Sequence, residues 1–245
     1  MIMIDINFDF TSDTPGYWDR FWEASDIGVS KADPDSASKI LQKYHQSLWS
    51  RELPNGEVMN LEIGDGADYL TWKGFRFGSD SIIASFRYEK CRELLEQVVG
   101  KVSNYREFVE SFLHQTYTIG GMIIFPKHTG SINQARGCNK CICDRFDLTL
   151  ECIRRFYLGE KSPLWEVLDK DRKFFELFVD FKGYVDFFLL QDLVLDDYSG
   201  VKFWNEWGGF EDEPIPKGAE EYLSFIEKEV EFVEKRNRRI KELGI

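Results

Sequence analysis

The first residues alternate: Ile4, Ile6, Phe8 and Phe10 face one way, with Asp5, Asn7 and Asp9 between them. That period of two predicts a strand with one buried face. Tyr17, Trp18, Phe21 and Trp22 then recur at helical spacing, and residues from Gly28 to Asp33 read as a loop. A helix is expected from Asp33-Pro34-Asp35-Ser36, with Asp33 as cap, Pro34 in the first turn and Ile40, Leu41, Tyr44 and Leu48 on its buried face. Short alternating runs at 58–63, 69–72 and 75–77, with a turn at Gly64-Asp65-Gly66, predict a small antiparallel meander.

Ser79 or Asp80 is placed to cap the following helix, whose Ile83, Phe86, Cys91, Leu94, Leu95 and Val98 share a face until Gly100. Another helix is expected over 104–115. The run 122–125, opened by Gly120-Gly121 and closed by Pro126, is too short for a helix and predicts a central strand. A long polar loop over 127–137 leads to a helix over 141–157. Further helices are expected from Ser162-Pro163, over the nearly unbroken apolar stretch 183–195, and over 217–243 after an acidic loop at 208–216. With no repeat and no long linker, the pattern predicts one domain over 1–245, α+β and predominantly helical, with a small, mainly antiparallel sheet.

Composition narrows the function classes. The formal charge of −12 argues against non-specific nucleic-acid binding and against an anionic membrane surface, since both need excess Lys and Arg. The exception is local: residues 127–155 hold six Lys and Arg against three Asp and Glu. No apolar run reaches the roughly 20 residues of a membrane-spanning helix. Five Cys, an odd number, suit reduced thiols, so a cytoplasmic location is expected. Twenty-one Phe predict a core packed by rings.

The residues best suited to chemistry lie in the basic stretch. A polar loop between a buried strand and a helix gathers backbone amides, and anions bind readily in such places. Lys127, His128 and Arg136 add charge, Arg145 follows closely, and Ser131, Asn133 and Gln134 can orient a ligand. The glycines do not follow the GxxxxGK[ST] phosphate-loop pattern, and a surface loop held by its own hydrogen bonds is the plainer alternative. Cys138, Cys141 and Cys143 could supply two thiolates from one turn, completed only by His128 or Cys152; without a second pair, no metal site is expected. Asp144, Asp147, Glu151, Arg154 and Arg155 fit a solvated face or an internal ion-pair network. Of the three histidines, His45, His114 and His128, only His128 sits where it could act as an acid or base, and no nucleophile motif of the GxSxG kind is present.

The words FRFGSDSI, IGGMIIFP, SINQARG, DRFDLTLECIRRFY and DFKGYVDFFLLQD together resemble a bacterial and phage-associated family classed as a domain of unknown function. The likeness runs from INFDF to EKRNRRI, nearly the whole chain. Relatives of this kind need not carry Cys138, Cys141 and Cys143, and the resemblance implies no activity, cofactor or catalytic residue. The leading expectation is therefore a small anionic ligand or nucleotide bound at 127–145. The competing one is a regulatory protein, in a phage-related or defence setting, that holds a protein partner through an exposed patch including Trp18, Trp22, Trp204 and Trp207.

Overall fold

The structure is a computed structural model that describes residues 3–23, 33–65, 69–87 and 89–245. Among them the elements in order are α1 (Tyr17–Glu23), α2 (Pro34–Ala37), α3 (Lys39–Trp49), β1 (Glu62–Ile63), β2 (Leu70–Trp72), β3 (Phe75–Ser81), α4 (Arg92–Lys101) and α5 (Tyr105–Thr116). There follow β4 (Met122–Pro126), α6 (Ile132–Cys138), α7 (Phe146–Tyr157), α8 (Trp165–Lys170), α9 (Arg172–Phe175), α10 (Phe181–Phe187) and α11 (Ala219–Glu242). The four strands form one antiparallel sheet in the order β1-β2-β3-β4, so the fold is α+β and mainly helical. The expected loop over 28–32 and the Gly66 corner of the expected turn lie outside the described residues.

Every residue of β4 is buried although the strand ends the sheet order, so it is not the central strand its apolar run suggested. The approach of α11 at its start explains the paired glycines. A Cβ on Gly120 would lie 2.5 Å from the Val233 carbonyl oxygen, and Gly120 N donates to Asn237 Oδ1 at 2.7 Å. Arg236, fully buried on α11, donates to the carbonyls of Gly120, Met122 and Phe188 at 2.8, 2.7 and 3.0 Å. Its guanidinium lies 5.6 Å from the Trp49 ring, which belongs to a cluster with Phe174, Phe178, Tyr184 and Phe188 whose ring centroids are 4.9–5.3 Å apart for several of the pairs.

Further expectations need correction. Residues 4–10 do not form a strand: Asp5 and Asp9 accept from the amides of Asn7 and Thr11 at 2.9 and 2.8 Å, and these local turns take donors a ladder would need. The alternation still reports burial, with Phe10 fully enclosed. Second, Ser79 and Asp80 cap no helix, because β3 runs on through Ser81 opposite Met122 and the helix starts only at Arg92. Third, half of the expected loop 127–137 is helix α6, whereas 139–145 is a turn, so the next helix begins at Phe146.

Fourth, 183–195 is not one helix. Asp180 caps α10 through Gly183 N at 2.7 Å, and Leu189 at φ 57° reverses the chain. The guanidiniums of Arg51 and Arg236 capture the carbonyls of Phe187 and Phe188. Cations at a helix C-terminus suit its dipole, and here they stop the helix as well. The single helix expected after Asp33 is likewise two pieces: Asp33 caps α2, and Ser38 Oγ caps α3 through Leu41 N at 3.0 Å.

Candidate functional site

Ser79 lies on β3 where the strand faces both α2 and the segment after β4. Its hydroxyl is the centre of a buried chain of hydrogen bonds. His45 and Trp49 stand four residues apart on α3, so the indole reaches back one turn and Trp49 Nε1 donates to His45 Nδ1 at 3.0 Å. Burial lowers the His45 pKa to about 3, so the ring is neutral and its one proton sits on Nε2. That nitrogen is 3.0 Å from Ser79 Oγ, and Ser79 Oγ donates to Asp35 Oδ1 at 2.9 Å. The direction of every proton is therefore fixed, from Trp49 through His45 and Ser79 to the carboxyl of Asp35. Ser79 is not an activated nucleophile in this arrangement, since His45 gives it a hydrogen and does not take one.

Above this chain opens a cleft of about 810 Å³. Asp35, Lys39 and Gln42 form one side, Tyr69, Arg76, Gly78 and Ser79 the floor, and Lys127, His128, Ser131, Asn133 and Gln134 the other side. Asn133 Nδ2 donates to the Ser79 carbonyl at 3.1 Å, tying α6 to β3. Gln134 Oε1 accepts from Gly130 N at 2.8 Å and closes the turn ahead of α6. The stem of Lys127 lies over Gly78, where a Cβ would sit 3.4 Å from Lys127 Cδ.

Five of the seven residues singled out in the sequence thus line one cleft: Lys127, His128, Ser131, Asn133 and Gln134. The two arginines do not. Arg136 is fully buried on the inner side of α6, with Nη1 on Asp80 Oδ2 and the Ser81 carbonyl, each at 2.7 Å, and Nη2 on the Asp144 carbonyl at 2.6 Å. Burial alone would depress its pKa, but Asp144 and Asp80 more than reverse this and raise it. The contact with Asp144 holds two successive non-glycine residues, Cys143 and Asp144, at φ 50° and 61°, a strained turn retained by its tertiary partners. Arg145, also fully buried, grips Asp147 with Nε and Nη2 at 3.1 and 2.5 Å and reaches the Pro214 carbonyl at 3.0 Å. It fastens the 204–214 loop to the start of α7 and does not line the cleft.

His128 is placed differently from what an acid or base needs. Nδ1 meets the Thr129 carbonyl at 3.1 Å and Nε2 meets Asp171 at 3.0 and 3.1 Å, so both nitrogens face acceptors. The Thr129 carbonyl first, and Asp171 with it, raise the pKa and favour the doubly protonated ring. Both ring nitrogens of His128 are therefore engaged within the protein, with the bias toward the charged ring.

Asp35 is the carboxyl the sequence reading passed over as part of a helix start. Burial raises its pKa well above the usual range, and the nearby carboxyls of Asp33 and Asp80 push the same way. Burial raises Asp33 too. The signals that could have found this corner are the i,i+4 spacing of His45 and Trp49 within an apolar helix face and two aspartates flanking Pro34. Neither indicates that Ser79 arrives between them.

Among the described residues no group of three or more His, Cys, Asp and Glu is arranged to hold a metal ion. Cys138 is exposed, Cys141 half-buried and Cys143 buried, with Cys143 Sγ bonded to the Lys140 carbonyl at 3.1 Å. Nor do the four tryptophans make an exposed patch: Trp204 is buried, and Trp18, Trp22 and Trp207 are half-buried in aromatic clusters. Among the described residues, no helix is long and apolar enough to cross a membrane.

Residues 4–240 match the model of a family described as a family of unknown function (DUF6994), and the chain belongs to that family. No curated protein and no solved structure matches it.

Proposed function

We propose that the cleft over β3 binds a small anionic ligand, a phosphorylated or carboxylated compound up to the size of a nucleotide. One observation carries the reading: the cationic side chains Lys39, Arg76, Lys127 and His128, from separate stretches of sequence, converge on one cleft with the amide side chains of Asn133 and Gln134. Its volume lies within the range typical of small-molecule sites. The proposal includes a bacterial cytoplasmic setting, supported by the free thiols and by the motif resemblance.

The test is calorimetry and thermal shift of the whole chain with phosphate, pyrophosphate and nucleotides. The wild type should be stabilised by at least one of them, and Lys127→Ala should weaken that ligand about tenfold, the effect of losing one charge-assisted contact. If wild type and a Lys39→Ala/Lys127→Ala double variant respond identically to all of them, the reading is wrong.

A protein-binding role finds its support elsewhere, in a groove between α5 and α11 floored by Phe108, Phe112, Ile226 and Val230 and edged by Glu107, Glu227 and Glu234. That groove would suit a basic amphipathic segment. The convergence of cationic and amide side chains in the β3 cleft favours the small-ligand reading over it.

A further inference from the structure

The groove between α5 and α11 is a second surface, and the way it is built specifies what would fill it. Lys101 Nζ meets Glu220 Oε1 at 2.9 Å just before α5 begins and near the start of α11, and Asn237 Nδ2 donates to Thr118 Oγ1 at 2.8 Å just past the end of α5. The two helices therefore run side by side in the same sense. Phe108 and Phe112 on one, and Ile226 and Val230 on the other, are each about one turn apart, so two adjoining apolar stripes floor a groove of about 790 Å³. Phe112 and Ile226 are buried, while Phe108 and Val230 are only half-buried and keep an apolar face open to solvent.

The walls follow the same spacing. On α11, Glu227, Glu231 and Glu234 recur at i, i+4 and i+7 along one side; on α5, Glu107, Ser111 and Gln115 recur at i, i+4 and i+8 along the other. All of these wall residues are exposed. No Lys or Arg lines the groove, and among the described residues only Glu231 of its four glutamates enters an ion pair, with Lys235 Nζ at 2.6 Å.

We propose that this groove binds the apolar face of a basic amphipathic helix from a partner protein. The inference gives a partner chemistry to the protein-binding role and does not depend on the anion reading of the β3 cleft. Helices that dock in grooves do so through anchors at i, i+3, i+4 and i+7. The stretch from Ile226 to Glu234 covers about 12 Å at a rise of about 1.5 Å per residue, roughly two turns, which is the length such a set of anchors needs. Lys or Arg beside the anchors would meet Glu227 and Glu234 on one wall and Glu107 on the other. The charge argues against other occupants. A second copy of a chain of net charge −12, docked through the same face, would set glutamate against glutamate, and like charges brought together are costly. Nucleic acid and anionic lipid are repelled by the same wall. A purely apolar segment would cover the floor and leave the carboxylates at its edge partly desolvated without a counter-charge.

The experiment is fluorescence anisotropy of the whole chain with a labelled helical peptide of about 14 residues, with Leu at i, i+3, i+4 and i+7 and Lys at the flanking positions. Its controls are the same peptide with Glu in place of Lys and a scrambled peptide of the same composition. The Lys peptide should bind at least about tenfold more tightly than either control and weaken as salt rises. Glu227→Lys/Glu234→Lys, at exposed positions, should weaken it at least about tenfold, turn the preference toward the Glu peptide, and leave the response to phosphate and nucleotides as in wild type. Val230→Ser, at the half-buried floor, should weaken it about fivefold with the salt dependence unchanged, which reads the floor separately from the walls. Equal binding of the scrambled peptide, or an affinity untouched by the charge reversal, overturns the proposal. A dimer in sedimentation that Glu227→Lys/Glu234→Lys dissociates would make the occupant a second copy, overturning the basic partner while keeping the groove as an interface. A monomer that binds none of the peptides sinks the proposal and the protein-binding role together. Peptide binding by a wild type that responds to no phosphate or nucleotide supports the groove and sinks the cleft reading alone.

Discussion

The inner corner of the cleft and its outer rim each contain a histidine, and the two have opposite fates. His45 is enclosed, neutral and committed at both nitrogens to Trp49 and Ser79. His128 is partly exposed, engaged by Asp171 and the Thr129 carbonyl, and biased toward the imidazolium. The same side chain is thus a fixed link in one place and a standing charge in the other, because burial penalises the charged form and adjacent acceptors reward it. Residue type alone would have nominated either as the acid or base of a reaction. Geometry engages both nitrogens of each ring with groups of the protein itself.

The sharpest way to break this contrast is to remove what supports the inner corner. Arg136→Met would leave Asp80 and Asp144 without their buried cation, and denaturant unfolding should show a loss of about 3–5 kcal/mol. The deficit should shrink in mild acid as the carboxyls take up protons. A loss below about 1 kcal/mol would mean Arg136 is not the keystone its contacts suggest.

His45→Ala should cost about 3 kcal/mol, from a cavity and from the unpartnered Trp49 N–H. It also tests the titration. The folded-state pKa of His45 is depressed to about 3 from an ordinary 6.5, so the unfolded chain binds the proton first. Stability from this residue is full above about 6.5 and is lost as pH falls through about 3, by on the order of 5 kcal/mol in all. In His45→Gln that part of the acid sensitivity should vanish; an unchanged pH profile of unfolding would contradict a neutral, buried ring.

At the rim the effects should be smaller and opposite in sign. The folded-state pKa of His128 is raised, so its contribution is present below the unfolded value and disappears as pH rises through the folded one. Asp171→Asn should lower the His128 pKa in an NMR titration and remove at most about 1 kcal/mol of stability, all of it on the acid side of that transition. No movement of the His128 resonance would show that Asp171 does not hold the ring. Lys127→Ala should change stability by less than about 0.5 kcal/mol, so that any effect on an anion is read as binding and not as unfolding.

Much of the scaffold was legible along the chain. The stripe of α5 and most of that of α7, the span of α11, the meander of β1 to β3 and the apolar run of β4 follow from the local pattern, since residues within a turn or a strand report on one another directly. Charge clustering also led to the stretch 127–134, which the fold brings to one cleft. The misreadings share a cause. Asp5 and Asp9 bend a segment whose alternation suits a strand, and Ser79-Asp80-Ser81 looks like a cap because a capping motif and a polar strand end have the same composition.

What the sequence determined by itself was which faces would be buried and where cationic and amide side chains would be concentrated. Tertiary structure alone decided that Arg136 and Arg145 would be buried in the interior while Asp35, Tyr69 and Ser79 would line the cleft. Ser79 meets His45 across 34 residues and Asp35 across 44, and Arg136 meets Asp80 across 56. Desolvation and hydrogen-bond direction depend on which groups packing brings together. No local pattern of apolar and polar residues encodes them.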